Sequence, residues 1–374
     1  MTMTLNPPVA ASNTPAAKPV ETASKPLFLP DNVIETSPVV KPAATVNVFG
    51  ELTRARGPAM LVGNPSLQQH SFPESGFDSD VCVSPDGKWM VYAAARDGTG
   101  SHLIRQKIGE PSGVVVTSGE GDDAQPSISP DGRRIAFCSN RSGAWHLYLA
   151  NAEGRGVTPL TDGDSTDMHP SFSPDGKRIV YSSTAAAGEP WTICVMDLAT
   201  RKTQVVGKGL FPAWSPRGDV DLIAFQKTRA RGSRWFSLWT CELRANDSGE
   251  TAPAETTEIA VSANAALISP TWSPDGKWIA FSSIVDPAQM RDGKPQGQQD
   301  IWVMEAVAGA SKRRITDGQG TNLTPCWAVD NKVYFVSDRT GHESIWSLPA
   351  LETSQRRQTT EGSTAATDAS EVKP

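Results

Sequence analysis

The chain has 374 residues, 38% of them hydrophobic and 20% charged, with a formal net charge of −6 at pH 7. This apolar content is enough for a large core, which excludes a wholly disordered chain, and no stretch approaches the 18 or more apolar residues of a membrane span. The net negative charge gives no attraction for phosphate backbones, so we expect no nucleic-acid partner. The five cysteines are widely spaced, without Cys-x-x-Cys or a zinc-type His partner, and indicate neither a disulfide framework nor a structural zinc site.

The N-terminal segment differs in composition from the rest of the chain. Residues 1–58 hold nine prolines among Ala, Thr, Val and Lys. Such a segment cannot bury apolar surface or sustain strand pairing, so we predict a disordered Pro/Ala-rich arm. We assign residues 59–361 to one folded domain and residues 362–374 to a disordered polar tail.

A tetrapeptide that is typical of a tight turn recurs through the folded domain. Four copies are identical, at Ser84-Pro85-Asp86-Gly87, Ser129-Pro130-Asp131-Gly132, Ser173-Pro174-Asp175-Gly176 and Ser273-Pro274-Asp275-Gly276. Two diverged copies are Ser215-Pro216-Arg217-Gly218 and Ala328-Val329-Asp330-Asn331. Proline pre-sets φ at the second position of a turn, and glycine at the fourth lets the chain leave in any direction. Six turns at spacings of 45, 44, 42, 58 and 55 residues indicate six structural repeats.

Strands are predicted on both sides of each turn. A short segment that alternates small and large side chains precedes the turn, as in Pro170-Ser171-Phe172, and a segment with period-2 alternation follows it, as in Ile179 and Tyr181. A third strand and a shorter fourth strand complete each repeat. In the fourth repeat the fourth strand is Glu258–Val261. No helix-period spacing separates the strands. The sequence therefore predicts an all-β fold, a six-bladed β-propeller of four-stranded antiparallel blades.

Two segments compete for the outer strand that closes the ring. Leu67–Phe72 precedes the first blade and carries two large apolar side chains, whereas Arg356–Thr360 follows the last blade and has none. We therefore expect the N-terminal segment to close the sixth blade. Trp214, Trp272 and Trp327 recur at one register of the inner strands, so we predict that they pack between blades.

The repeat resembles a known family. Its Pro and aromatic residue, Ser-Pro-Asp-Gly, Lys or Arg, Ile-Ala-Phe strand, Asp-Arg-x-Gly loop and Arg-Arg-Ile-Thr segment are similar to the propeller repeat of TolB-like proteins, over about residues 68–350. The resemblance implies a protein-binding or scaffold propeller that is periplasmic or associated with the cell envelope. Here the proline-rich arm stands where TolB has an α/β domain, so that domain's partners are not carried over. No signal peptide is visible in the first thirty residues, which leaves a cytoplasmic location open.

Catalytic motifs are missing from the sequence. There is no Gly-x-Ser-x-Gly elbow and no glycine loop for phosphate, and only a polar tail follows Leu351. We therefore predict a non-catalytic protein without an obligatory cofactor, whose partner is another protein or a peptide. The alternative is a metal-dependent propeller hydrolase of the lactonase type.

The candidate binding residues lie just ahead of the predicted inner strands. Six residues before the turn the repeats carry Asp78, Asp123, Asp167, Gly209, Leu267 and Asn322, and two residues later they carry Asp80, Gln125, His169, Phe211, Ser269 and Thr324. Equivalent positions converge in a radial array, so we predict a binding site at the channel mouth formed by Asp78, Asp80, Asp123, Asp167, His169, Asn322 and Thr324. The three aspartates at the first register are the candidate ligands for a divalent cation, since hard cations prefer oxygen.

Alternatives stay open for several of these residues. Each aspartate at the first register either caps its own loop, as Asx turns do, or contributes to a site for a cation or a peptide amine. Cys82 and Cys326 fall in the first and last blades, where either a small side chain is needed or a disulfide forms across the seam. The cluster Arg229, Arg231 and Arg234 and the insertion Val285–Gln299 are interpreted as surface loops, with partner contact as the alternative.

Overall fold

The computed structural model of the protein describes residues 66–96, 100–185, 189–228, 236–245, 251–285 and 299–351. The chain divides into two units, Met1–Leu52 and Thr53–Pro374, and all described residues belong to the second. Several predictions fall outside the described residues, namely the arm 1–58, the tail 362–374, the three clustered arginines and residues 286–298 of the long insertion.

The described residues form six four-stranded antiparallel sheets, which are the predicted blades. Strand β1 is Gln68–Gln69. Blade one contains β2 (Phe77–Val83), β3 (Trp89–Ala95), β4 (His102–Lys107) and β5 (Gly113–Val115). Blade two contains β6 (Asp123–Ile128), β7 (Arg134–Ser139), β8 (His146–Asn151) and β9 (Thr158–Pro159). Blade three contains β10 (Thr166–Phe172), β11 (Arg178–Thr184), β12 (Thr192–Asp197) and β13 (Thr203–Lys208).

The remaining blades follow the same order. Blade four contains β14 (Leu210–Trp214), β15 (Asp221–Thr228), β16 (Phe236–Ala245) and β17 (Thr251–Ala260). Blade five contains β18 (Ala265–Trp272), β19 (Trp278–Val285), β20 (Gln299–Glu305) and β21 (Arg313–Arg314). Blade six contains β22 (Asn322–Trp327), β23 (Lys332–Ser337) and β24 (Ser344–Pro349), and β1 is its outer strand. The predicted six-bladed propeller is confirmed.

The recurring tetrapeptide forms the turn between the first two strands of a blade. In blade two the N–H of Gly132 donates to the carbonyl of Ser129 at 2.8 Å, and Gly132 has a φ of 68°. The Ser129 hydroxyl donates to Asp131 at 2.5 Å and accepts from the backbone N–H of Arg134 at 2.9 Å. Serine and aspartate therefore hold the turn from inside, and the left-handed φ explains the glycine.

The apolar cores lie between neighbouring blades. Trp272 packs with residues of both blade four and blade five, and Trp327 with residues of both blade five and blade six. Trp214 likewise joins blades three and four. The predicted packing role of the three tryptophans is confirmed, and each blade is stabilised by its neighbours.

The N-terminal segment closes the ring, as expected. Gln68 and Gln69 of β1 pair with Ser347 and Trp346 of β24, and Leu67 packs against the core between blades five and six. A strand that precedes blade one therefore completes blade six.

The fourth blade departs from the predicted strand lengths. Its outer strand β17 spans Thr251–Ala260 and is much longer than the predicted segment Glu258–Val261. Register shifts between Leu238 and Trp239 and between Glu242 and Leu243 let β16 and β17 stay paired over a long hairpin. A β-bulge absorbs an extra residue without ending the ladder, which the repeat spacing alone does not reveal.

Candidate functional site

The innermost strand of every blade contains a bulge at the same register. In blade one the pairing shifts between Ser79 and Cys82, so Asp80 and Val81 together oppose one residue of β3. The first residue of each bulge has a left-handed backbone; these six residues are Asp80 (φ 53°), Gln125 (52°), His169 (57°), Phe211 (52°), Ser269 (51°) and Thr324 (48°). We call this set the channel ring.

Consecutive members of the channel ring contact one another across blade boundaries. The Asp80 carboxylate accepts a hydrogen bond from the backbone N–H of Gln125. The Gln125 side-chain oxygen in turn accepts from the backbone N–H of His169 at 3.0 Å, and the rings of His169 and Phe211 lie 3.6 Å apart. Four blades thus contribute to one continuous arc at the centre of the propeller.

Burial sets the charge state of the two titratable ring members. Desolvation by the surrounding protein raises the pKa of Asp80 from 3.8 to about 6, although hydrogen bonds from Gln125 and Ser79 oppose the shift. Desolvation lowers the pKa of His169 to about 3, so its imidazole is neutral at pH 7. Among the described residues no Lys, Arg or His lies within ion-pair distance of Asp80. At neutral pH the ring holds one unpaired carboxylate and one neutral imidazole.

Most polar side chains of the channel ring have unused hydrogen-bonding capacity. Within the described part of the chain, no hydrogen bond is made by Gln125 Nε2, His169 Nδ1, His169 Nε2, Ser269 Oγ or Thr324 Oγ1. All of these atoms are buried. Buried polar atoms are normally satisfied, so their concentration at one register identifies the ring as a candidate binding site.

The aspartates of the other predicted register are held inside their own blades. Arg96 Nη2 donates to Asp78 at 2.5 Å, and Arg141 Nη2 donates to Asp123 at 2.7 Å. Both carboxylates are buried. The structure therefore places Asp78 and Asp123 in ion pairs with arginines of the same blade.

Asp167 and Asn322 have equivalent local partners. The Ser183 hydroxyl donates to Asp167 Oδ1 at 2.6 Å, and Arg339 Nη2 donates to Asn322 Oδ1 at 2.9 Å. Of the seven predicted site residues, the structure brings Asp80, His169 and Thr324 to the channel ring; the other four, Asp78, Asp123, Asp167 and Asn322, join the strands within the blades. The ring also includes Gln125, Phe211 and Ser269, which align at the same register but were not among the candidate residues.

The described residues do not form a metal site. None of their His, Cys, Asp and Glu side chains lie in a group of three or more that could hold an ion. The candidate ligands Asp78, Asp123 and Asp167 are engaged by the local partners described above. This donor geometry does not fit a divalent cation.

The two cysteines at the seam are neighbours but both are free thiols. Cys82 and Cys326 share a side-chain hydrogen bond, and the Val83 backbone N–H donates to Cys326 Sγ at 3.4 Å. The predicted proximity of the two residues is confirmed, and the alternative of a disulfide between them is not. The thiols contribute to contact between the first and last blades.

The blades and the channel define the class of this protein, a TolB-like six-bladed β-propeller. More specifically, the chain belongs to the family of the Tricorn protease N-terminal beta propeller domain, whose model matches residues 146–373. A curated relative, an uncharacterized protein of Agrobacterium fabrum, is 35% identical over 78 residues, which cover 21% of this chain and 26% of the relative. The match thus spans about a quarter of that relative's length.

Solved structures share the fold at low sequence identity. The protein assigned as TolB from Agrobacterium tumefaciens is 22% identical, with a TM-score of 0.51 over 73% of this chain and 90% of that one. A gluconolactonase from Xanthomonas campestris is 12% identical, with a TM-score of 0.54 over 76% of this chain and 89% of that one. An oligogalacturonate lyase from Vibrio parahaemolyticus is 16% identical, with a TM-score of 0.51 over 77% and 94%. At these identities the similarity establishes the fold, and the fold serves binding proteins and enzymes alike.

The described residues include no helix of the length and apolarity that a membrane crossing requires.

Proposed function

We propose that this protein is a non-catalytic binding propeller that takes a segment of a protein partner at its channel ring. The observation that carries the proposal is the arc of ring side chains that continues from blade one to blade four. Bulges commonly re-aim side chains next to functional sites, and here the same bulge recurs in every blade. A rigid closed ring with a central cluster of buried polar and aromatic groups is suited to binding an extended segment.

The resemblance to TolB-like proteins supports an envelope-associated, periplasmic role as part of the same proposal. TolB-like propellers are exported proteins that bind other proteins. Cell fractionation together with N-terminal sequencing of the native protein tests the location, because an exported protein is recovered outside the cytoplasm with its mature N-terminus.

A ring-blocking substitution tests the binding proposal. Ser269→Arg places a long side chain in the channel ring, whereas Ala263→Arg adds the same side chain at an exposed position of the loop that precedes β18. Peptides selected on the full chain from a random display library should bind the wild type and Ala263→Arg equally, and Ser269→Arg weakly. Thermal unfolding of both variants checks that each still folds. Equal peptide binding by the two variants would place the site elsewhere.

The metal-dependent hydrolase has less support. Two of the structural neighbours are enzymes by name, a gluconolactonase and an oligogalacturonate lyase, yet the described residues of this chain offer no group of three or more His, Cys, Asp and Glu side chains that could hold a metal ion. Elemental analysis of protein purified without chelator distinguishes the two functions. A stoichiometric divalent ion would contradict the binding proposal.

A further inference from the structure

Only two of the six channel-ring residues, Asp80 and His169, are of types that its left-handed backbone favours. Glycine adopts this conformation most readily and Asn, Asp and His are enriched in it, whereas β-branched and bulky residues are strained there. None of the six ring residues is Gly or Asn, and the set includes Thr324 and Phe211. The bulge therefore explains the shared backbone but not the choice of side chains. Strained non-glycine residues that recur at one place are a reason to look for a ligand.

The neutral polar groups of the channel ring can form hydrogen bonds with a peptide backbone. The Gln125 side-chain oxygen already accepts from the His169 backbone N–H and from the Cys138 thiol. The other end of the same amide, Nε2, can therefore donate to a ligand. The neutral imidazole of His169 offers one donor and one acceptor, and the hydroxyls of Ser269 and Thr324 can act as either. The Gln125, His169 and Ser269 side chains are more than nine-tenths buried. An extended peptide supplies alternating N–H and C=O groups that match such a mixed set.

Asp80, which is partly exposed, differs from the buried carboxylates of this end of the propeller. Asp78 and Asp123 each have an arginine from their own blade, whereas Asp80 has no ion-pair partner among the described residues. Its contacts are the Gln125 N–H and the Ser79 hydroxyl, 3.4 Å away. An uncompensated charge in a desolvated position is costly unless a counter-charge reaches it. Since the described residues supply none there, a ligand is the natural source.

We infer that the channel ring takes an extended segment of the partner that carries one basic side chain, whose cationic group binds the Asp80 carboxylate. This inference rests on the proposed function and specifies the chemistry of the partner. Phe211 adds an aromatic ring beside His169, which suits the apolar stem of a Lys or Arg side chain.

Peptide pools with one fixed residue test the inference. Acetylated and amidated octapeptides carry Lys, Arg, norleucine or Glu at a central position and random residues elsewhere, and they are applied to the immobilised full chain. Retention is measured for the wild type, for Asp80→Asn and for Asp86→Asn. The last variant removes the same charge from an exposed turn and is the matched control. Asp80→Asn preserves shape and an acceptor oxygen, and thermal unfolding verifies its fold.

The outcomes separate the inference from the proposed function. We expect the Lys or Arg pool to be retained at least about tenfold better than the norleucine pool by the wild type and Asp86→Asn, with the preference lost in Asp80→Asn. If peptides are retained without a basic preference, or if Asp80→Asn keeps it, the assignment of Asp80 is wrong while the channel remains a peptide site. If no pool is retained by the wild type, the peptide-binding function fails as well.

Discussion

The two tryptophans at the interfaces beside blade five offer a sharp test of the packing, because they differ in one hydrogen bond. Trp272 is 5% exposed and Trp327 is 6% exposed, and both pack between blades. Trp272 Nε1 donates to the carbonyl of Ala213 across the blade interface at 2.9 Å. Trp327 Nε1 makes no hydrogen bond within the described residues. Substitution by Phe removes the same atoms from both sites but has opposite effects on hydrogen bonding.

The expected loss of stability follows from these contacts. Removing three buried ring atoms costs about 2.5 kcal/mol at either site, at roughly 0.8 kcal/mol per buried CH₂-sized group. Trp272→Phe also removes the hydrogen bond from Nε1 to the Ala213 carbonyl, which adds up to about 1.5 kcal/mol, whereas Trp327→Phe removes an unsatisfied N–H and regains about as much. We therefore expect a loss of about 4 kcal/mol for Trp272→Phe and about 1 kcal/mol for Trp327→Phe.

Urea unfolding followed by circular dichroism measures both variants against the wild type. The cores join successive blades into a closed ring, so we expect a single cooperative transition for each protein. Equal losses in the two variants, or a larger loss for Trp327→Phe, would refute the role of the Trp272 hydrogen bond. Trp272→Ala extends the test, with an expected loss above that of Trp272→Phe and at the upper end of about 3 to 5 kcal/mol. An unchanged Trp272→Ala stability with lost ligand binding would instead make the tryptophan part of a binding surface.

Three further predictions concern the turn, the ring carboxylate and the seam. Gly132→Ala should cost about 1 to 2 kcal/mol because Gly132 has a φ of 68°, whereas Gly218→Ala should cost nothing, since Gly218 has no left-handed φ and no atom near its added Cβ; equal unfolding free energies would contradict this. Because the pKa of Asp80 is raised, its contribution to the stability of the fold is fully present below about pH 4, where the carboxyl is protonated. This contribution is lost as the pH rises through about 6. Asp80→Asn should therefore stabilise the protein by up to about 3 kcal/mol at pH 8 and not at pH 3.5, and a pH-independent effect on the urea midpoint would refute the assignment. Diamide should cross-link Cys82 to Cys326, because the shared hydrogen bond lowers the pKa of the Cys82 thiol; non-reducing peptide mapping that finds only other cross-links would contradict that geometry.

The fold could be predicted from the sequence because its signals are local and repeated. Each Ser-Pro-Asp-Gly turn encodes its own hydrogen bonds, and the period-2 strands beside it place residues such as Phe137 in the interblade cores. Closure by β1 was also predictable, since Leu67 supplies an apolar contact that the competing C-terminal segment lacks. The 58-residue spacing between the fourth and fifth turns indicates extra residues in blade four, but it does not show that they extend the β16–β17 hairpin through bulges.

The candidate site was only partly predictable, and the bulge is the reason. In a regular strand Asp78 and Asp80 point to the same face, because side chains alternate with a period of two. The bulge inserts one extra residue after Ser79, so side chains before and after it no longer alternate in the same phase. Asp78 then meets Arg96 within the blade, while Asp80 joins the channel ring. Contacts between equivalent positions of neighbouring blades are seen at the second register, whereas the contacts described for the first register lie within the blades.

Arginine partners distinguish the aspartates that stabilise the blades from Asp80, which has no ion-pair partner among the described residues. Arg96 and Arg141 come from the loop after the second strand of a blade, 18 residues after the aspartate that each one pairs with. The repeat thus encodes the compensating charge together with the buried carboxylate, which marks these pairs as part of the blade. Asp80 belongs to no such pair, and none of the equivalent ring positions carries a cation. A carboxylate that the repeat leaves uncompensated, at a register where several buried polar atoms also lack partners among the described residues, is therefore where we expect a ligand to bind.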